Sequence, residues 1–186
     1  GESTPALVGD RLYAFARQEN EEVIVSLSAQ DGSERWRYSY PAVAVSGPAK
    51  PYQGPRSSPA VARGKVIALG VGGVLTCLDA GTGKLAWRRD DLTNHIPEFF
   101  TSASPLIVDG LCIVHLGGAG KGSLLAVGVD TGETRWKWEG EGPSYASAVP
   151  LTLGGSKQVV LLTEKSLMGL SLADGKPQWH LSTPLN

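Results

Sequence analysis

Cysteine is scarce in this chain. Two of its 186 residues, Cys77 and Cys112, stand 35 positions apart, too few and too isolated for a disulfide scaffold or a zinc site. Charge of either sign is thin as well. Seventeen Lys and Arg face eighteen Asp and Glu, for a net charge of −1. No basic face is implied for a nucleic acid, and no polybasic run for a membrane surface. No apolar run reaches the roughly 18 residues that span a bilayer, and no segment keeps a helical period. The chain opens on Gly1 without a charged-then-apolar leader, which leaves export open because leaders are removed on maturation. Glycine is what abounds: 24 residues, about twice the usual share. At 41% hydrophobic residues the chain is too apolar to be disordered, so the glycines mark turns in a folded chain.

These turns recur. Gly32/Trp36, Gly83/Trp87, Gly132/Trp136 and Gly175/Trp179 repeat one spacing, with Trp-to-Trp steps of 51, 49 and 43 residues. A proline leads each Trp by 31, 28, 31 and 29 residues, at Pro5, Pro59, Pro105 and Pro150. Two markers in phase define a fourfold internal repeat. Within each unit, short Val/Ile/Leu-rich runs alternate with Gly, Asp and Pro turns, as strands do. Examples are Leu12–Phe15, Val66–Leu69, Leu111–Val114 and Val159–Leu162. Several of these runs are apolar on both faces and must be covered on both sides. A stack of small sheets, each between neighbours, meets that need.

The repeat length and four strands per unit predict an all-β fold, a β-propeller of four four-stranded antiparallel blades. The blades are expected at 3–40, 57–90, 102–139 and 147–183 of a single domain, 1–186. The Gly–Trp element has its own logic. Asp or Thr before the Gly closes a tight turn through a side-chain bond to backbone, and the Gly supplies a positive φ. The Trp needs a flat apolar bed. The small residue ten positions before each Trp (Ser26, Cys77, Ala126, Gly169) is expected to make room for an indole from the adjoining blade.

The segment from Cys77 to Trp87, CLDAGTGKLAW, resembles the tryptophan-docking motif of the PQQ-like, quinoprotein-like propeller repeats. The units ending at Trp36, Trp136 and Trp179 are weaker copies. That family includes pyrroloquinoline quinone (PQQ) dehydrogenases and non-catalytic BamB-like lipoproteins. Seven- or eight-bladed rings are usual in it. The resemblance therefore implies half of an eight-bladed propeller, completed by a homodimer partner or by the remainder of a longer propeller. A closed four-bladed ring would need much sharper angles between blades. The resemblance also implies an exported, periplasmic setting, or membrane association through a removed leader.

No catalytic set and no metal set emerges from the residue types. The glycine run Gly117–Ser123 lacks the Ser/Thr after Lys121 and opens no helix, so it is a hairpin and no phosphate loop. His95, His115 and His180 have no metal spacing; the last two are expected to be structural. Glu19-Asn20-Glu21-Glu22 is expected to be a solvated hairpin tip. PQQ dehydrogenases of the resembling family carry two adjacent cysteines and a calcium set, which this sequence does not show; none is expected as cofactor, with PQQ and calcium only under the enzyme alternative. A sugar-active propeller would need a carboxylate pair that nothing here selects.

The links between units carry more information. In the resembling family they lie on one face, beside the central channel. Here they run over residues 40–57, 90–102 and 139–147. Long loops on a rigid scaffold are where function concentrates. Tyr52, Arg56, His95, Glu98, Phe99 and Tyr145 are the candidate ligand- or partner-binding residues. Phe99, Phe100 and Tyr145 could equally pack the channel rim. The expectation is a non-catalytic binding or scaffolding propeller of an exported bacterial protein, recognising a protein segment or small ligand on the inter-blade loop face. A PQQ-dependent dehydrogenase, or a fragment of one, is the alternative.

Overall fold

A computed structural model describes residues 2–183; Gly1 and 184–186, the outermost positions of the expected domain, lie outside the described residues. The chain folds into four antiparallel sheets of four strands each, every sheet a simple meander. Blade 1 holds β1 (Ala6–Val8), β2 (Arg11–Gln18), β3 (Glu21–Ser28) and β4 (Glu34–Pro41). Blade 2 holds β5 (Ala60–Ala62), β6 (Lys65–Leu69), β7 (Leu75–Asp79) and β8 (Leu85–Arg89). Blade 3 holds β9 (Leu106–Val108), β10 (Leu111–Gly118), β11 (Lys121–Gly128) and β12 (Thr134–Gly140). Blade 4 holds β13 (Val149–Leu153), β14 (Ser156–Leu162), β15 (Ser166–Ser171) and β16 (Pro177–Ser182). A 3-10 turn at Gly47–Ala49 interrupts the first link.

Three apolar cores lie between the blades. Tyr13, Phe15, Ile24 and Trp36 of blade 1 pack on Val66, Ala68 and Leu78 of blade 2. The other face of blade 2, with Ile67, Leu69, Leu75 and Cys77, packs on Cys112, Val114, Leu116 and Leu125 of blade 3. Blade 3 in turn meets Val159, Leu161, Met168 and Leu170 of blade 4 through Ile113, Leu124 and Trp136. The doubly apolar strands are the ones sandwiched on both sides. Both cysteines sit in the central core as free, fully buried thiols.

The tryptophans clip each blade to the next. The indole of Trp36 lies against Gly83, Trp87 against Gly132 and Trp136 against Gly175; a Cβ on any of these glycines would meet an indole carbon at 2.5–2.7 Å. Each indole N–H donates to the backbone carbonyl three residues before that glycine: Ala80 at 3.0 Å, Val129 at 2.7 Å and Leu172 at 2.9 Å. Those glycines also hold φ of 71–72°, a conformation cheap only for Gly. The turns close as their chemistry suggests. Asp79 Oδ1 accepts from the Thr82 N–H and hydroxyl, and Asp31 Oδ1 from the Ser33 N–H.

One expectation needs correction. The small residue ten positions before each Trp faces its own blade's indole across the strand pair, as in Ser26↔Trp36, Cys77↔Trp87, Ala126↔Trp136 and Gly169↔Trp179. The indole must lie flat over that position to reach the following blade. A bulge follows the small residue in all four third strands, which bends the strand at the docking site.

A second inter-blade chain runs along the entrances to the first strands. The Thr4 N–H donates to Ser58 Oγ, the Ser58 N–H to Ser104 Oγ and the Ser104 N–H to Ser147 Oγ, each at 2.9 Å. Ser58 and Ser104, each directly before one of the repeated prolines, thus join the blades. The links and the second-to-third-strand hairpins share one face of the molecule. The Gly–Trp turns share the opposite face with the first-to-second-strand turns, as the bonds from Ala80 N to Gly64 O and Gly117 N to His95 O show.

Candidate binding site on the linker face

The second link, between β8 and β9, is built around Leu92 and Thr101. Leu92 is buried in the central core. Thr101 donates its N–H to Val71 O (3.2 Å) and its hydroxyl to Gly70 O (2.5 Å). Between these anchors the link presents His95, Glu98 and Phe99 to solvent. Phe99 is 40% exposed. Its ring meets Tyr145 of the third link edge-on, with centroids 6.0 Å apart, and its N–H donates to the Tyr145 hydroxyl at 3.2 Å. The Ser102 hydroxyl donates to Tyr145 O at 3.3 Å. Phe100 and Tyr145 both hold left-handed backbone, φ 64° and 68°. Such strain in bulky residues persists only where surrounding contacts enforce it.

His95 of the same link lines a groove of about 460 Å³ together with Lys121, Ser123, Lys137 and Glu139. It continues past Arg89, Asp91 and Thr134. Its charges are largely paired. Lys137 Nζ lies 2.6 Å from Glu139, and Arg89 lies 2.6 Å from Asp91. The Arg89 guanidinium holds the Asp91 carboxyl below the ordinary carboxylate range, and Lys137 does the same for Glu139.

Of the six residues predicted from sequence, the structure brings together Phe99 and Tyr145; His95 lines the groove and not the pair. Glu98 is exposed on the same link without joining the pair. Tyr52, 53% exposed, stands on the first link. Arg56, half-buried there, has Nε and Nη2 shielded from solvent with no hydrogen-bond partner among the described residues.

Sequence reasoning missed three carboxylates at the blade edges. Glu22, expected on a solvated hairpin tip, is 1% exposed. Only Glu19, Asn20 and Glu21 form the exposed tip. Glu22 lies on the blade 2 side of β3, where the Val71 N–H donates to its Oε1 at 2.8 Å. Burial pushes its carboxyl above the ordinary value, against the pull of the Val71 N–H, Tyr40, Arg17 and Arg88. The signal for it lay in Gly70, where a Cβ would meet Glu22 Oε2 at 2.1 Å. Glu141 bridges to Thr163 and Ser166 of blade 4, and Glu164 Oε1 accepts from the Gly120 and Gly142 N–H groups. His115 is structural as expected. It is 5% exposed, Nε2 lies 3.1 Å from Glu141 O, and burial depresses its pKa to about 4.

The cysteines do not fit a cofactor cradle. Both stand inside the blade 2–blade 3 core, and Cys77 donates to Val129 O at 3.8 Å. Burial pushes its thiol up to about 12 and raises Cys112 as well. Among the described residues, no three His, Cys, Asp or Glu side chains gather as a metal site.

Comparison with known proteins agrees with this architecture. The quinohemoprotein alcohol dehydrogenase ADH-IIG of Pseudomonas putida is 27% identical over 140 residues, 74% of this chain and 19% of that enzyme. The quinohemoprotein alcohol dehydrogenase of Comamonas testosteroni is 26% identical over the same shares. The chain thus spans about a fifth of the length of these curated relatives. The crystal structure of the Comamonas enzyme superposes on 97% of this chain with a TM-score of 0.74 at 20% identity, using 34% of its own length. BamB from Moraxella catarrhalis superposes on 98% of this chain, with a TM-score of 0.70 at 19% identity and 48% of its own length. These superpositions show the fold. The family model described as outer membrane protein assembly factor BamB matches residues 19–186, and with its four docking motifs in phase the chain belongs to that PQQ-like propeller-repeat family.

Proposed function

We propose that this chain is a non-catalytic binding or scaffolding part of an exported bacterial propeller. It recognises a protein segment or a small ligand on the linker face. The observation that carries this reading is the Phe99–Tyr145 pair. An exposed aromatic ring is fixed by a neighbouring link whose own backbone is held at φ 68°. Exposed, rigidly held aromatics are the anchors that binding surfaces use. The groove lined by His95 of the same link offers Lys121 and Ser123 as further polar contacts. Tyr52, Arg56 and Glu98 would extend the surface along the same face.

The second reading is a fragment of a PQQ-dependent dehydrogenase, favoured by the quinohemoprotein alcohol dehydrogenases among the relatives. Such an enzyme would take its hydride on a bound quinone. The buried, separate cysteines speak against a cofactor held by this chain alone. Two measurements decide between the readings. Panning a random peptide library on the protein, with a Phe99→Ala/Tyr145→Ala variant as counter-target, should yield peptides that bind the parent and lose the variant. Titration with PQQ and calcium should give no saturable absorbance change. Peptides indifferent to the double variant, or a saturable change accompanied by dye-linked alcohol oxidation, would overturn the binding reading.

A further inference from the structure

Blade 3 is longer than the blade 2 sheet it packs on. Its strands β10 and β11 have eight residues each and β12 has seven, against five each for β6, β7 and β8. The two blades are aligned at the docking turn, where the Trp87 N–H donates to Val129 O. The excess length of blade 3 therefore projects on the linker side. Residues 90–95 of the second link stand in for the missing strand length. Leu92 is buried in one core with Leu116 and Leu125, and the Gly117 N–H donates to His95 O at 2.7 Å. The link does not cover the overhang completely. Between them stays the groove of about 460 Å³. Its continuation, about 200 Å³ more, shares His95, Ser123 and Lys137 with it.

The groove is long and its walls are fixed. Its lining follows β12 from Thr134 to Gly140. That is about 20 Å at roughly 3.3 Å per residue, the length of about six residues of extended chain. On one side the turn that carries His95 is held by the Gly117 N–H and by its own N–H bond to Leu92 O at 3.0 Å. On the other side the hairpin that carries Lys121 is held from blade 4, where Glu164 Oε1 accepts the Gly120 N–H at 2.7 Å. Walls already in place lower the ordering cost of binding. The charges of the lining are uneven. Arg89, Lys121 and Lys137 face two carboxylates, Asp91 and Glu139. Arg89 matches Asp91, and Lys137 matches Glu139. The side chains of Lys121, His95 and Ser123 have no protein hydrogen-bond or ion-pair partner among the described residues, and they line the wider part of the groove together. An ammonium, an imidazole N–H and a hydroxyl are all donors.

We propose that this groove takes an extended peptide segment through a carboxylate held by Lys121, His95 and Ser123. The proposal deepens the linker-face binding reading and rests on it. Length and shape fit a chain, and the unmatched donors fit an anionic oxygen pair. Asp91 and Glu139 stand along the same groove and repel a run of acidic residues, so a single carboxylate among uncharged neighbours is selected. It comes from an Asp or Glu side chain or from the segment's own C-terminus.

Panning a random peptide library on the purified chain, followed by fluorescence anisotropy of the selected peptides, tests it. The second target is Lys121→Gln/His95→Gln, two exposed positions whose replacement should leave the melting temperature unchanged. Selected peptides should carry one Asp, Glu or free C-terminal carboxylate among uncharged residues. Changing that Glu to Gln, or amidating the terminus, should lower affinity about tenfold. Whichever of these changes weakens binding identifies the source of the carboxylate. Lys121→Gln/His95→Gln should cost about the same factor, and peptide and protein changes together little more than either alone, since both delete one contact. Peptides that lose Lys121→Gln/His95→Gln but keep Phe99→Ala/Tyr145→Ala would support the groove and remove the aromatic pair as anchor. Peptides that need Phe99 and Tyr145 yet carry no carboxylate, or bind Lys121→Gln/His95→Gln as well as the parent, would overturn the proposal and leave the aromatic anchor standing. Recovery of no binding peptide would overturn both.

Discussion

At the residue scale, two buried titratable groups pull stability in opposite directions with pH. His115 is neutral in the fold, with its pKa depressed to about 4 from 6.5. The unfolded chain therefore binds its proton first, and stability falls as pH drops from 6.5 towards 4. Glu22 has its carboxyl raised above 4.5 by burial. The folded chain keeps that proton longer, so this group's contribution falls as pH rises from 4.5 through its folded value. The prediction is made on differences. His115→Gln should remove on the order of 2–3 kcal/mol of the parent's loss between pH 7 and pH 4.5, read from denaturant midpoints. Glu22→Gln should steepen the acid loss and leave neutral-pH stability equal or higher, because the amide oxygen can still accept from Val71. Equal pH profiles for parent and both variants would contradict the assignment. His115 was legible as structural from its place on an apolar run. Glu22 was not, because a carboxylate beside a hairpin tip reads as solvated until the neighbouring blade's Gly70 and Val71 are seen against it.

At the element scale, the repeated turn is where sequence speaks most clearly. The Gly–Trp spacing, the Asp or Thr of the turn and the positive φ all derive from local chemistry, so one chain segment is enough to foresee them. The direction of docking is not local. The small residue before each turn looks like a socket for a neighbour, yet it is the cross-strand partner of its own Trp. Only the register reveals this. The Ser ladder was not foreseen, because its bonds run from blade to blade and leave no mark on the local pattern. Ser104→Ala removes the acceptor of the Ser58 N–H and should cost on the order of 1 kcal/mol, measured by chemical denaturation. Its own N–H bond to Ser147 remains, so a loss of several kcal/mol would mean that the ladder acts as a unit. On the linker face, sequence foresaw aromatic residues in long links, and the structure pairs Phe99 with Tyr145. Tyr145→Phe deletes the oxygen that accepts the Phe99 N–H. It should lower peptide affinity severalfold with the melting temperature unchanged, if that bond serves to aim Phe99.

At the scale of the whole molecule, the chain is a stack in which each blade touches only its neighbours. Stability then resides largely in the junction terms, as in other repeat proteins. The apolar cores between blades 1 and 2, 2 and 3, and 3 and 4 leave no core that belongs to one blade alone. Repeat number, strand count and blade order were legible because period and turn markers are properties of sequence. The central claim is that directional Trp-to-Gly docking holds the blades together, and Trp87 bridges the middle junction. Chemical denaturation of Trp87→Ala tests it most directly. The account predicts a loss of about 3 kcal/mol or more, with native strand content kept in the absence of denaturant. A variant that unfolds at the parent's midpoint would contradict it.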